Sequence, residues 1–206
     1  MTVQVNFTTS MRAVVLATAL TAAAPAPAQD TGFYAGGALG QAKAKDACSG
    51  ITGIGFSGGC DDKDTAWKIF GGYQFNPNLG VELGYVDLGD FTANGTVLGA
   101  PVSASAEAKG FELVGVGSIP FTQQLSGYAK AGAFRWDVDT RTAAGATATG
   151  GGDKGTDFTY GLGLKYDFTR NIAGRLEFQR YNNVGETNTT GQSDVNLWTA
   201  GVMFKF

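Results

Sequence analysis

The stretch FTYGLGLKYDF, residues 158–168, alternates between large apolar side chains and small or polar ones at every position. Its apolar phase consists of Phe158, Tyr160, Leu162, Leu164, Tyr166 and Phe168. The other phase consists of Thr159, Gly161, Gly163, Lys165 and Asp167. Strict alternation is the two-residue period of a β-strand, and a tilted strand of about 9 to 11 residues crosses a bilayer. This stretch therefore predicts a membrane-spanning strand with one apolar face.

The same alternation recurs along the chain, between breaks rich in glycine, asparagine, proline and threonine. In residues 172–178 the polar phase holds Arg175 and Glu177, and in residues 79–85 it holds Glu82. We predict eight strands, at about residues 32–45, 65–75, 79–88, 106–119, 125–138, 156–168, 172–184 and 195–206. The expected fold is all-β, an eight-stranded antiparallel up-and-down transmembrane β-barrel.

The breaks between these strands alternate in length. The short connections are 76–78, 120–124 and 169–171. The mostly long ones lie around 48–60, 89–105, 139–155 and 185–194. Outer-membrane barrels have this layout, with tight periplasmic turns and longer external loops. An even number of strands places both ends of the mature chain on the periplasmic side.

Alternation alone does not say which face of each strand lies inside the barrel. Two features favour an apolar exterior. Aromatic residues such as Phe158 and Phe168 stand at strand ends, where membrane barrels carry their interfacial girdles. The polar phases combine glycine with single charges at mid-strand, which suits a narrow lumen. The alternative is a secreted, lipocalin-like cup that keeps its apolar face inside, around a binding pocket.

The first 28 residues have the composition of an export signal. Arg12 supplies a positive charge, residues 13–24 form a short apolar run, and Ala26-Pro27-Ala28 offers a cleavage site. The run is shorter than the roughly 20 residues of a transmembrane helix. We predict a signal peptide at 1–28, with translation starting at Met11, and an outer-membrane barrel domain at 29–206. A buried amphipathic N-terminal helix is the alternative.

The last strand ends in an alternating apolar row. Its members are Trp198, Ala200, Val202, Phe204 and Phe206, the last residue of the sequence. Ordinary edge strands are usually blunted with charge or proline, and this row contains neither. A C-terminal aromatic residue of this kind is the pattern that the barrel assembly machinery reads. We therefore predict an assembly signal at Trp198, Val202, Phe204 and Phe206, with that machinery as a partner.

Charge and residue usage argue against several other functions. The net charge of -3 and the pI near 4.9 leave no basic surface for nucleic acid. The chain has no histidine, and Ser118 and Ser126 have no evident base, so we predict no catalytic, metal or cofactor site. Cys48 and Cys60 lie in a glycine-rich stretch with eleven residues between them. In an exported protein this spacing favours a disulfide.

Three of these stretches resemble the membrane domain of the OmpA family. GGYQFNPNLGVELGYVDLG, residues 71–89, is similar to the family's second strand, proline turn and third strand. GRLEFQRYNNVG, residues 174–185, is similar to its seventh strand, and FYAGGALG, residues 33–40, to its first. The resemblance covers about 175 residues. Because the sequence ends at Phe206, we expect no periplasmic peptidoglycan-binding domain of the kind that longer members carry.

The resemblance also implies roles for charged residues. In the family a lumenal glutamate pairs with an arginine on the seventh strand and can exchange it for a lysine, which opens a narrow ion path. Glu82, Arg175 and Lys130 stand at the matching positions. The chain departs from the family at Val116 and Ala38, where lysines are expected.

Eight strands leave a lumen just wide enough for side chains to fill it. The charges that we predict to project into it are Glu82, Glu112, Lys130, Lys165, Arg175 and Glu177. Lys165 replaces an acid of the family pattern. Enclosed charges must pair, so we predict a structural outer-membrane barrel with a largely plugged lumen, which supports the envelope and contacts lipid, lipopolysaccharide and a surface partner. A small or gated ion channel is the alternative.

Overall fold

The computed structural model describes residues 31–45, 56–97, 100–144, 147–186 and 192–206. The predicted signal peptide at 1–28 and Cys48 lie outside the described residues, so both stay predictions. In the described part of the chain, no helix is long and apolar enough to cross a membrane.

Within these ranges the chain forms nine strands. They are β1 (Gly32–Ala44), β2 (Phe56–Asp61), β3 (Lys63–Asn76), β4 (Leu79–Val97), β5 (Ala100–Pro120), β6 (Leu125–Ala144), β7 (Thr147–Asp167), β8 (Ile172–Val184) and β9 (Ser193–Lys205). Eight of them close a ring in the order β4, β3, β1, β9, β8, β7, β6, β5, and β5 pairs back onto β4. All neighbours in the ring are antiparallel. The predicted all-β, eight-stranded up-and-down barrel is therefore confirmed.

Three tight turns join strands at one end of the barrel, which we call the turn end. They connect β3 to β4, β5 to β6 and β7 to β8, at the breaks predicted to be short. In the β7–β8 turn the Thr169 hydroxyl accepts a hydrogen bond from the Ile172 backbone N–H at 3.0 Å, and Thr122 has the same role in the β5–β6 turn. Outer-membrane barrels place such turns in the periplasm. We call the opposite end the loop end.

At the loop end, the strands run further than the sequence predicted. The stretches 89–105 and 139–155 were expected to be long loops, but β4 and β5 stay paired as far as Val97 and Ala100. β6 and β7 likewise stay paired as far as Ala144 and Thr147. The prediction was wrong because it followed apolar alternation, which ends with the membrane. Backbone hydrogen bonds continue the ladder beyond that point without an apolar face.

The predicted loop around residues 48–60 also contains a strand. β2 pairs with β4 from Phe56 opposite Val97 to Asp61 opposite Thr92, beyond the end of the β3–β4 pairing. Cys60 lies in β2. Because Cys48 lies outside the described residues, the disulfide between them remains a prediction.

A β-bulge in β4 changes the direction of its side chains toward the loop end. The register with β5 shifts between Asp87 and Asp90, with Gly89 at a φ of 81°. A Cβ at Gly89 would lie 2.6 Å from Asp64 Oδ2, which accepts the Asp90 N–H at 2.6 Å. The extra residue lets both Leu88 and Phe91 point into the lumen, where both are buried.

A second irregularity lies in β8, where the register with β9 shifts between Tyr181 and Val184. Asn183 has a φ of 52° there, and its backbone N–H donates to Asp194 Oδ1 at 3.1 Å. Asp194 also pairs with Arg180. Although partial burial raises the pKa of Asp194, these hydrogen bonds hold it below its usual value.

The two faces of the barrel have inverted polarity relative to a soluble protein. Large apolar side chains point outward and are exposed, for example Leu162 at 63% and Leu176 at 61%. Charged side chains point inward and are buried, for example Lys68 and Glu82 at 2% each. A soluble cup would require the reverse. The lipocalin-like alternative is therefore wrong for this chain.

Toward the loop end, the outward-facing residues change from apolar to polar. We call these outward polar residues the collar. One row of cross-strand neighbours in the collar is Arg180, Asn196, Lys43 and Lys63, on β8, β9, β1 and β3. The other row is Asp87, Lys109, Asp137 and Lys154, on β4, β5, β6 and β7. The outward apolar band between the turn end and the collar matches the lipid-facing band of a membrane barrel.

The apolar band makes a prediction about substitutions on β7. Replacing Leu162, near the middle of the outward row, by arginine should lower the free energy of unfolding by about 2 to 4 kcal/mol, because the charge would lie near the bilayer midplane. Thr156→Arg, on the same row near the collar, should cost at most about 1 kcal/mol. Denaturant titration of the barrel in lipid vesicles measures both values. Equal costs at the two positions would contradict the assignment of the outer face.

Candidate functional site

Six charged side chains meet in the middle of the lumen, and each is at most 7% exposed. They are Lys68 on β3, Glu82 on β4, Glu112 on β5, Lys130 on β6, and Arg175 and Glu177 on β8. We call them the lumenal cluster. Three carboxylates face three cations, so the cluster carries no net charge. This balance matters because an unpaired charge would lose much of its hydration in so narrow a space.

Glu177 contacts all three cations of the cluster. Its Oε2 lies 3.2 Å from Arg175 Nη2 and accepts a hydrogen bond from the Tyr128 hydroxyl at 2.7 Å. Its Oε1 lies 2.9 Å from Lys130 Nζ and also pairs with the Lys68 ammonium group. Removing this one carboxylate would therefore leave three cations short of a partner.

Glu112 is held by neutral donors as well as by lysine. Its Oε2 accepts hydrogen bonds from Gln179 Nε2 at 2.6 Å and from the Tyr181 hydroxyl at 3.0 Å. Its Oε1 lies 3.3 Å from Lys130 Nζ. The Gln179 Oε1 atom accepts from Lys68 Nζ at 3.0 Å, so the Gln179 amide bridges an acid and a base of the cluster.

Glu82 is the least satisfied of the three carboxylates. Its Oε1 lies 2.7 Å from Arg175 Nη1 and accepts the Tyr34 hydroxyl at 3.0 Å. Its Oε2 is buried and has no hydrogen-bond partner among the described residues. The Lys130 ammonium group lies 3.9 Å from this oxygen. Glu82 therefore has a second cation within reach besides Arg175.

Aromatic rings hold the Arg175 guanidinium in place. Its Cζ atom lies 4.6 Å from the centre of the Phe70 ring and 4.4 Å from that of Tyr128. Its Nε also donates to the Tyr128 hydroxyl at 3.1 Å. A planar guanidinium packs against rings more readily than an ammonium group does. Arginine and lysine are therefore not interchangeable at this position.

Glycines make room for the tyrosines that bind the carboxylates. A Cβ at Gly72 would lie 2.4 Å from Tyr34 Cζ, and one at Gly163 would lie 2.3 Å from Tyr128 Cζ. Neither distance is sterically possible for a real side chain. The abundance of glycine on the inward faces thus follows from the need to fit large polar groups into a narrow barrel.

Apolar layers lie on both sides of the cluster. The larger side chains of the layer on the loop side, all at most 8% exposed, are Leu88, Phe91, Phe134, Trp136, Tyr181 and Leu197. The rings of Phe134 and Tyr181 are 4.5 Å apart, and Trp136 Nε1 donates to Asp157 Oδ2 at 2.8 Å. On the turn side lie two smaller apolar groups, which include Phe70 and Val116. An ion would have to cross apolar contacts both before and after the cluster.

The structure brings together five of the six residues predicted to line the lumen, all except Lys165. Lys165 points inward but lies outside the cluster, with Nζ 3.9 Å from Asp167 Oδ2 and 22% of its side chain exposed. It stands directly opposite Arg175 in the β7–β8 register. Because like charges at opposed positions repel, its ammonium group extends toward Asp167 instead.

Sequence reasoning missed Lys68. It lies in the buried phase of β3, between Ala66 and Phe70, and supplies the third cation of the cluster. The signal was available, since a lone charge at mid-strand was the feature that identified Glu82 and Arg175. The apolar layer on the loop side was also missed, because apolar residues were assigned to the outer face.

The predicted assembly-signal residues form an outward row at the end of the chain. Trp198, Val202, Phe204 and Phe206 are exposed by 64%, 44%, 45% and 81%. They belong to the apolar band, and β9 pairs with β1 to close the ring. Closure removes the free edge that a terminal strand would otherwise present.

A family model described as the OmpA-like transmembrane domain matches residues 27–206. Outer membrane protein A of Salmonella typhi is 34% identical over 197 residues, which cover 94% of this chain and 53% of that protein. The protein of the same name from Klebsiella pneumoniae is 33% identical over 184 residues, covering 86% and 52%. The chain thus spans about half the length of the curated relatives it matches.

Solved structures show the same fold at lower identity. The outer membrane protein OprG from Pseudomonas aeruginosa aligns with a TM-score of 0.54 and 14% identity, over 87% of this chain and 98% of that one. The attachment invasion locus protein Ail of Yersinia pestis aligns with a TM-score of 0.51 and 13% identity, over 85% and 99%. At such identities the likeness concerns the fold alone.

The central position of Glu177 predicts a large effect of its removal. Glu177→Gln should lower the free energy of unfolding by about 3 to 5 kcal/mol, because it leaves buried cations without a partner. Lys165→Gln, on the same face but outside the cluster, should change it by at most about 1 kcal/mol. Denaturant titration in lipid vesicles compares the two. If Glu177→Gln lowers the free energy of unfolding no more than Lys165→Gln does, Glu177 does not pair with the cations of the cluster as described.

Proposed function

The chain belongs to the family of OmpA-like transmembrane domains, and we propose that it acts as a structural barrel whose lumen is plugged by its own side chains. Family membership confirms the resemblance of residues 71–89 and 174–185. The protein lies in the cell outer membrane, like the relatives it matches. The proposed role is envelope integrity, with surface contacts at the loop end.

The main support for a plugged lumen is that the neutral lumenal cluster lies between two apolar layers. Moving an ion through it requires that a buried ion pair such as Arg175 with Glu82 separates, at a cost of several kcal/mol for each unpaired charge. The same ion must then pass the packed rings of Phe134 and Tyr181 in the apolar layer on the loop side. Both barriers support a closed lumen.

Contacts outside the lumen complete the proposal. β4 to β7 continue beyond the collar, so they present paired strands to the outside of the cell as a surface for a partner or for lipopolysaccharide. The outward row of Trp198, Val202, Phe204 and Phe206 is accessible for recognition by the assembly machinery. The predicted disulfide of Cys48 with Cys60 would tie β2 to the segment of the chain that precedes it. No catalytic role is proposed.

A small or gated ion channel is the second candidate, and Glu82 is the residue that favours it. Its Oε2 has no hydrogen-bond partner in the described part of the lumen, and Lys130 Nζ lies 3.9 Å away. Glu82 could exchange Arg175 for Lys130 without a backbone movement. The exchange alone would leave the apolar layer at Phe134 and Trp136 in place.

Single-channel recording in planar bilayers distinguishes the two functions. The plug predicts no conductance steps above the bare bilayer for the wild-type barrel, and none for Arg175→Ala, because the apolar layer still blocks the path. Lys154→Ala, which removes a cation from the outer face, is the matched control. Discrete steps in the wild type that Arg175→Ala alters and Lys154→Ala does not would contradict the plug and establish the channel.

A further inference from the structure

An apolar groove of about 410 Å³ lies on the outer wall where β9, β1 and β3 meet. The small residues Gly37 and Ala200 form the floor of the groove. Its walls are formed by the larger residues Leu39, Trp67, Ile69 and Val202. The groove lies within the outward apolar band, so it opens toward the hydrocarbon of the membrane. A narrow apolar depression of this kind suits a single acyl chain.

Cations stand directly above the groove on the same strands. Lys43 and Lys63 stand opposite each other in the β1–β3 register. Lys43 lies four residues from the groove residue Leu39 on β1, and Lys63 lies four residues from the groove residue Trp67 on β3, both toward the loop end. Like charges directly opposite each other on neighbouring strands are destabilising. Lys43 Nζ lies 3.4 Å from Asp62, whereas Lys63 forms no ion pair with another described residue. A bound anion between the two ammonium groups would relieve the repulsion.

The rest of the collar shows that this arrangement is local. The row that contains Lys43 and Lys63 continues through Asn196 to Arg180 and includes no acidic residue. Arg180 is paired with Asp194, which lies outside this row. The other row alternates in sign, Asp87, Lys109, Asp137 and Lys154, with Lys154 Nζ 2.6 Å from Asp137. On the β9–β1–β3 wall, the apolar groove thus lies below two opposed lysines, of which Lys43 is paired with Asp62.

We propose that this wall binds one membrane lipid whose headgroup is phosphate-bearing and net negative. Its acyl chain lies in the groove, and the headgroup phosphate lies between Lys43 and Lys63. Gly37 and Lys43 are separated by about 20 Å along the strand, at roughly 3.3 Å per residue, a span suited to an extended chain. The site faces the leaflet at the loop end. It is independent of whether the lumen conducts.

Tryptophan quenching tests the headgroup preference directly. Trp67 lines the groove, Trp136 is enclosed in the lumen, and Trp198→Phe removes the other exposed tryptophan. In bilayers, the mole fraction of brominated phosphatidylglycerol that quenches half of the Trp67 fluorescence should be at least about fivefold lower than that of brominated phosphatidylcholine. One lysine near an anionic lipid raises the affinity by a factor of about five. Lys43→Gln with Lys63→Gln should abolish the difference, and Lys154→Gln should leave it intact.

Filling the groove tests the acyl-chain site separately. A Cβ at Gly37 would lie 3.6 Å from the Lys68 carbonyl oxygen, an ordinary contact, so Gly37→Leu occupies the groove without straining the wall. It should raise the half-quenching fraction of phosphatidylglycerol to that of phosphatidylcholine. Gly117→Leu is the matched control, because a Cβ there meets nothing within 4 Å and Gly117 lies on β5.

Three results of the quenching experiments would overturn the proposal, and displacement of the lipid by inorganic phosphate would be a fourth. They are equal quenching by the two lipids in the parent barrel, an effect of Lys154→Gln as large as that of the double lysine variant, and unchanged quenching in Gly37→Leu. Added inorganic phosphate should not displace the lipid, and if it does, the lysines bind free anions rather than a headgroup. Heat-modifiable gel migration shows that each variant is folded.

Discussion

Charges enclosed in a narrow lumen must neutralise one another, and this constraint governs the interior of the barrel. Eight strands leave little space for water, so three carboxylates and three cations supply each other's solvation. Glu177 meets every cation, Gln179 joins an acid to a base, and Tyr128 bonds both Glu177 and Arg175. The glycines of the inward faces follow from the same constraint, because they provide the volume that these groups occupy.

The outer face obeys a complementary constraint, since a bilayer offers no partner to a charge. Apolar residues occupy the outward rows from the turn end to the collar, where charged residues begin. The collar is not uniform: one row alternates in sign, whereas the other places Lys43 opposite Lys63 above a groove. The outer wall thus differs from one side to the other, although the ladder of strands is continuous around the ring.

Period-two alternation predicted the ring and most of the cluster, because a transmembrane strand must separate its two faces. Residues beyond the membrane escape that rule, so the extensions of β4 to β7 were expected to be loops. Lys165 points into the lumen as predicted but lies outside the cluster, because alternation gives the face of a residue but not its height, and Arg175 opposite repels it. The inward Phe134 and Trp136 were missed, since alternation alone does not distinguish an apolar plug from an apolar exterior.

The central claim is that outward apolar side chains meet lipid while inward ones do not, and leucine methyl NMR in lipid nanodiscs tests it on the unmodified protein. Leu83, Leu162 and Leu176 point outward, whereas Leu88 and Leu197 are buried in the lumen. We expect strong cross-relaxation from lipid methylene protons to the first three and none to the other two. Lipid contacts at Leu88 and Leu197, or water contacts instead of lipid at the outward leucines, would contradict the account.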